Sequence, residues 1–434
     1  LSVVLLSVVV VGEFTTDEAL WGCVMTGTGA GTGPGTSVAE ESIHPNITHA
    51  GTRRALVEGV LPGGHEIMRF PQLSESRMVT AVDLVEDRHD RGALDPRIAS
   101  TVVVGHLAMD GDEAQAVVVD GETGRVFSLS MCAPQHAELY PLAPSLDALG
   151  RFLTAVGELG SLSGRFTHLR GCFGAPVVEE ASVLLRSVFT DENWGADGWG
   201  DVEWEGEVPS FWRIAALIRP MALIAAPGRG LHLDLPADFI EEEFGTEEVV
   251  RLAPGDLPEA LEHEPTRRFL TEVGLPKDGL MFWLDTPEDI LKSMTVASAE
   301  RQANPDLRHL NLTGELPEDS DRLLVIGGLM HDFDTIVDGR TGLVHYALMD
   351  DDTVTPVNAD VSTLAFTVWM HSRQQKLEKE YELAGSMGEF YHQVADTMIA
   401  VLATADPVAC LPATGPDDYR YWPEVFHDEA GAVL

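Results

Sequence analysis

The sequence predicts an α+β fold in two tandem copies, each an antiparallel sheet flanked by helices. Three observations carry this: segments that recur at one offset, a helix–meander–helices order in each copy, and enough apolar residues to bury a real core. The 434 residues are 44 % hydrophobic and 23 % charged, a balance that supports a packed interior rather than disorder. Thr52-Arg53-Arg54-Ala55-Leu56-Val57-Glu58 leads to Leu61-Pro62, and 214 positions on Thr266-Arg267-Arg268-Phe269-Leu270-Thr271-Glu272 leads to Leu275-Pro276. Val103-Val104-Gly105 precedes Asp120-Gly121-Glu122-Thr123-Gly124. Val325-Ile326-Gly327 precedes Asp338-Gly339-Arg340-Thr341-Gly342, with the turns 218 apart. Pro141-Leu142 with Leu149 matches Pro356-Val357 with Leu364, and Phe211-Trp212 echoes Tyr421-Trp422. The order is kept and the offset drifts by loop-sized amounts around half the length. Duplication of one domain accounts for this, and two copies are too few for a solenoid. The expected domains are 1–226 and 231–434, divided at the turn-rich Pro227-Gly228-Arg229-Gly230.

Within each copy the T-R-R segment reads as a helix, since Phe269, Leu270 and Val273 fall at helical spacing. Leu-Pro is expected to stop it, because proline disfavours helix in the residue before it. Strands follow at Leu323–Ile326, Phe333–Val337 and Leu343–Leu348, with Asp338–Gly342 as a tight turn whose glycines can take positive φ. A helix is expected from about Ser362 to Glu382 and another from about Met387 to Ala403, leading into a tail that carries Trp422. This order is α+β.

The charge sorts function classes. With 28 Lys+Arg against 70 Asp+Glu the formal net charge is −42, which repels phosphates and excludes nucleic acid as an expected partner. Cys23, Cys132, Cys172 and Cys410 are scattered singly, without a C-x-x-C pair, so no zinc ribbon or redox motif is expected and reduced thiols fit best. The apolar start Leu1–Gly12 is too short to span a membrane, lacks the marks of a signal peptide and reads as a strand. A cytoplasmic protein with no membrane partner is the expectation.

Catalytic signatures fail one by one. Gly27–Gly35, the glycine-rich loop near 27–36, misses the third glycine of a dinucleotide fingerprint in every register, and no G-K-[ST] follows. Asp110-Gly111-Asp112 opens like a calcium loop, but Gly121 stands where a bidentate Glu is needed. His331-Asp332-Phe333-Asp334 lacks a second histidine cluster, and Gly160–Gly164 has Leu162 in place of a nucleophilic serine. No cofactor, metal or catalytic residue is therefore expected. An enzyme built from dispersed residues such as His106, His331 and Asp334 remains a third possibility.

Two features stand out on the binding side. Arg53-Arg54 and Arg267-Arg268 recur in a chain poor in cations, either as a contact across the domain or as a helix face pairing with nearby carboxylates. The segment from Asp191 to Trp212 holds Trp194, Trp199, Trp204 and Trp212, half of the eight tryptophans. Among them stand Asp191, Glu192, Asp197, Asp201, Glu203, Glu205 and Glu207. Tryptophan anchors interfaces and surrounding carboxylates steer a basic partner. The alternative is that Trp204 and Trp212 are core residues while the acids face water.

The ordered set T-R-R-h-L…G-L-P, hhIG and h-h-D-G-x-T-G-x-V resembles the SUKH superfamily of immunity proteins, most closely its fourth subfamily, common in actinobacteria. In the second copy the matching residues are Thr266, Arg267, Arg268, Leu270, Gly274, Leu275, Pro276, Ile326, Gly327, Asp338, Gly339, Thr341, Gly342, Val344 and Asn358. The first copy matches more loosely, through Arg53, Arg54, Asp120, Gly121 and Gly124. The resemblance implies two non-enzymatic SUKH-like domains that bind and neutralise a cognate polymorphic toxin, often a nuclease or deaminase. The charge adds the expectation that the toxin is basic, with the inter-domain cleft as one place for the contact. A scaffold of the same fold with a non-toxin partner is the alternative.

Overall fold

The computed structural model describes residues 35–430 except 64, 76, 88–89, 109–114, 132, 191–207, 280, 287–288, 311–314, 331–332, 349–351, 385–389 and 413–418. The first half begins with helix α1 (Ala50–Glu58) and a sheet of β1 (Met68–Arg69), β2 (Val79–Thr80), β3 (Val102–Leu107), β4 (Ala116–Val119), β5 (Val126–Ser130) and β6 (Glu138–Ala143). Helices α2 (Leu146–Gly160), α3 (Ala175–Thr190) and α4 (Ser210–Ile218) follow. The second half repeats this order. It has helix α5 (Glu264–Glu272), strands β7 (Phe282–Leu284) and β8 (Lys292–Ser293), helix α6 (Met294–Ala303), then β9 (Leu323–Leu329), β10 (Phe333–Asp338), β11 (Val344–Leu348) and β12 (Thr355–Asn358). Helices α7 (Val361–Tyr381), α8 (Tyr391–Ala405) and α9 (Tyr421–Ala430) close it.

The two sheets have one topology. Strand order is β1-β3-β4-β5-β6 with β2 on β3, and β7-β9-β10-β11-β12 with β8 on β9, antiparallel throughout. Even the irregularities repeat. The register shifts between Val103 and Gly105 and between Val325 and Gly327, and again at Val126/Phe127 and Val344/His345. The α+β expectation with two tandem domains holds.

The strands are apolar runs because both sheet faces are covered. One face of each sheet packs against the long helices in a single continuous core that runs through both halves. The other face of the first sheet is closed by Ala81, Val85, Leu94 and Ile98 over Val103, Val118, Phe127 and Leu129. That of the second is closed by Met294 of α6 over Leu323, Val325, Ile336 and Ala347. Helix α2 starts at Ser145, whose hydroxyl accepts from Ala148 N at 3.1 Å, and buries Leu146, Leu149, Phe152, Leu153, Val156 and Leu159. Helix α7 starts at Asp360, which accepts from Ser362 N and Thr363 N while the Thr363 hydroxyl returns to the cap.

Several boundaries move. The long helix runs Val361–Tyr381 and the next runs Tyr391–Ala405, starting later than expected. The Trp422 segment is a helix, not a tail; its Pro423 sits in the first turn, where no N–H is needed. Leu275-Pro276 does not merely end helix α5 but pairs as a short strand with Val249–Val250. Pro227–Gly230 lies in a hairpin in which Ala226–Pro227 pairs with Leu233–Asp234, and His232 N donates to Asp360 Oδ2 at 2.6 Å.

The junction of the halves is filled. Phe390 sets its ring edge-on to Phe211 at 5.7 Å and to Tyr140 at 5.6 Å, and Arg213 donates to Tyr381 O at 3.1 Å. Among the described residues no inter-domain cleft opens at these helices, because aromatic side chains of both halves meet there. No helix among the described residues is long and apolar enough to cross a membrane.

Candidate functional site

The repeated motif residues converge on one construction in each half. The D-G-x-T-G hairpin turn docks on the start of the T-R-R helix. His49 N donates to Gly121 O at 2.8 Å, and His263 N donates to Gly339 O at 2.8 Å. The Thr52 hydroxyl lies 2.9 Å from His49 Nδ1, and the Thr266 hydroxyl 2.8 Å from His263 Nδ1. Asp120 Oδ1 accepts from Glu122 N and Thr123 N, and Asp338 Oδ1 accepts from Arg340 N and Thr341 N. Burial opposes the charge on Asp338, but these donors and the Arg322 guanidinium outweigh it and hold the carboxyl below its usual range. Burial pushes the His263 imidazole down, against the pull of Asp360 and Asp338.

The second glycine of each turn has to be glycine. Gly124 and Gly342 have φ of 78° and 79°, and the helix-start histidine and threonine press against them. A Cβ on Gly342 would lie 2.6 Å from His263 Cε1 and 3.0 Å from Thr266 Oγ1; on Gly124 it would lie 2.7 Å from Thr52 Oγ1.

The arginines belong to the same construction. Arg53 donates to Ile47 O at 3.0 Å and pairs with Glu40 at 2.6 Å; Arg267 donates to Leu261 O at 2.9 Å and Pro258 O at 3.1 Å. The first arginine of each pair therefore clamps the chain entering its helix. Arg54 is exposed and lines, with Glu40, Ala50, Arg53, Val57 and Glu58, a shallow depression of about 400 Å³. Arg268 donates weakly to Arg229 O at 3.4 Å. Arg53 and Arg267 act on backbone carbonyls of their own half.

The other sequence candidates fare differently. Trp212 is fully buried and donates its indole N–H to Leu142 O, while Trp422 donates to Asn358 Oδ1 at 3.0 Å. The weak Phe-Trp/Tyr-Trp echo thus marks equivalent anchors of the last helix on the last strand. Trp212 belongs to the core and not to a partner surface. Asp191, Glu192, Trp194, Asp197, Trp199, Asp201, Glu203, Trp204, Glu205 and Glu207 lie outside the described residues, as do the loop at 27–34, Cys23, Cys132, His331 and Asp332. Helix α3 ends at Thr190 and α4 begins at Ser210, so the acidic segment joins two core helices.

The dispersed trio is not assembled. His106 is on β3 of the first sheet beside Gln72, whereas Asp334 is on β10 of the second. There Arg301 grips Asp334 through both carboxylate oxygens at 2.5 and 2.7 Å. Among the described residues no group of three or more His, Cys, Asp or Glu is placed to hold a metal ion. Burial pushes the Cys410 thiol up to about 12.

Sequence reasoning passed over three features. His49 and His263 hold the turn, signalled by H-x-x-T before each arginine pair. Asp406, fully buried after α8, accepts from Asn358 Nδ2, Ala359 N, Val408 N and Ala409 N and ties β12 to the helices. Trp283 on edge strand β7 is 40 % exposed, and its indole occupies the space that a side chain on Gly328 of β9 would need.

Two antiparallel sheets of one topology, helix-covered and joined by a shared core, define a duplicated α+β protein whose repeated motif is architectural. The SUKH-4 immunity protein family matches residues 28–168 and 235–428, more than half of the chain in two copies. The chain belongs to that family. No curated protein and no solved structure matches it.

Proposed function

We propose that the chain neutralises a cognate polymorphic toxin, of nuclease or deaminase type, by direct protein–protein contact, without catalysis and without a cofactor. Membership of the immunity family, in two copies, is the observation that carries this. The net charge of −42 supports a basic toxin, since carboxylates presented where substrate phosphates would sit block a nucleic-acid site. We assign the contact to the Asp191–Glu207 segment, whose tryptophans and acids suit a cationic surface. The two domains are 1–226 and 231–434 in this proposal, and the protein acts in the cytoplasm.

The test is co-expression with the toxin domain encoded beside it. The chain should restore growth and co-purify with the toxin. A version with Asp191, Glu192, Asp197, Asp201, Glu203, Glu205 and Glu207 replaced by lysine should lose both. Unchanged capture by that version would sink the assignment of the surface, and failure of the native chain to protect would sink the function.

A further inference from the structure

We propose that His392 and His427 bind a single zinc ion, which clasps the start of helix α8 to the end of helix α9. The site is structural, takes no part in the toxin contact, and stands independently of the function proposed above.

His392 is in the first turn of α8 and His427 in the last turn of α9. Their Nδ1 atoms lie 3.5 Å apart. A hydrogen bond from an N–H closes to about 3 Å, so this separation is long for one. It suits a shared ion. Two imidazole nitrogens held by zinc at the tetrahedral angle stand about 3.4 Å apart. A square-planar ion, with neighbouring ligands at right angles, would draw them to about 2.9 Å. The spacing therefore selects zinc among the ions that imidazole suits.

The surroundings supply what a zinc-bound histidine needs. A metal-bound imidazole commonly turns its other nitrogen to a carboxylate, which sets the tautomer. His427 Nε2 lies 3.1 Å from Asp396 Oδ1, and Asp396 is one turn along α8 from His392. This favours the proton on Nε2 and leaves the Nδ1 lone pair of His427 toward His392. Asp396 Oδ2 is buried and has no hydrogen-bond partner, so the carboxylate has capacity for the charge that an ion brings to His427. The Tyr391 ring stands against His392 with centroids 3.9 Å apart. The His427 and Asp396 side chains are each 23 % exposed, which leaves water a route to the site. Both imidazoles bind neutral with the proton on Nε2, two waters complete the four ligands, and Asp396 stays outside the coordination shell.

The first copy shows that these helices pack without such groups. Helices α3 and α8 end 215 residues apart, at Thr190 and Ala405, and the anchors Trp212 and Trp422 are 210 apart. At those offsets Val177, Ala181 and Leu217 stand where the second copy has His392, Asp396 and His427. Ala181 and Leu217 are buried, and Val177 packs against the same core. Apolar residues meet the demands of packing there, so two imidazoles and a carboxylate at the same three positions serve something else.

The full chain, labelled with nitrogen-15 histidine and kept in excess magnesium chloride to occupy the acidic surface, is titrated with zinc chloride. Calorimetry should find one zinc ion bound per chain. The Nδ1 resonances of His392 and His427, assigned from His392→Gln and His427→Gln, should shift together while those of the other histidines stay. Each of the two variants should lose this uptake, and Asp396→Asn should weaken it about 10–100-fold. His136→Gln, exposed in the first half, should leave it unchanged. Zinc should raise the melting temperature of the native chain and not that of His427→Gln. Absence of uptake by the native chain, or uptake that moves neither Nδ1 resonance, overturns the site. So does uptake that survives both histidine substitutions, which would mark zinc held by surface carboxylates alone. The Nδ1 shifts are read on the native chain, so the test stands even where a variant fails to fold. Equal affinity in Asp396→Asn overturns the part assigned to that carboxylate.

Discussion

Replacing Gly342 by alanine tests whether the repeated turn is held by the helix it docks on. At φ of 79° a side chain costs about 1–2 kcal/mol through contact with the following carbonyl. The new methyl would also sit 2.6 Å from His263 Cε1, so the imidazole has to move away from the Thr266 hydroxyl, now 2.8 Å off. Forcing a methyl into packed surroundings adds about 1–3 kcal/mol. The sum is a loss of about 2–5 kcal/mol, and Gly124→Ala, at 78° against His49 and Thr52, should lose a similar amount. Gly157 is the internal control. It lies within α2 with nothing within 4 Å of an added Cβ, so Gly157→Ala should gain about 1 kcal/mol through helix propensity. Urea unfolding followed by circular dichroism and tryptophan fluorescence measures all three. A loss under about 1 kcal/mol at Gly342 would refute the docking as the reason for the motif.

Phe390→Ala removes the ring that sits between Phe211 and Tyr140 and should cost about 3–5 kcal/mol. It should also separate the unfolding of the two halves into two steps in scanning calorimetry, where the native chain should show one. Acidification should weaken the fold. Burial lowers the folded pKa of His65, His106, His263 and His345 below the ordinary 6.5. The unfolded chain therefore takes up protons first, and their stabilisation, full above pH 6.5, drains away as pH falls through the folded pKa values. The melting temperature should drop from pH 7.5 to pH 5.5, and His345→Gln should reduce that dependence.

The duplication was legible because it is a property of residue order. The D-G-x-T-G turns, the T-R-R helices and the strand between them needed only spacing and local turn chemistry. The Trp422 helix was missed because a proline near a helix start resembles a break until the N–H count of a first turn is applied. The histidines were missed because imidazole is uncommon at a helix start, and its value here comes from a glycine 75 or 79 residues later.

The sequence by itself determined the α+β class, the two copies, the acidic charge and the helix and strand types, since these follow from periodicity and composition. Tertiary structure decided what each marked residue does. It put Trp212 in the core, turned Arg53 and Arg267 onto carbonyls, and filled the junction with Phe390, Phe211 and Tyr140. It also put the Trp283 indole over Gly328. The physical reason is that exposure and charge pairing depend on neighbours distant in the chain, such as Gly328 under Trp283 and Asp334 near Asp285, and spacing along the chain carries no information about them.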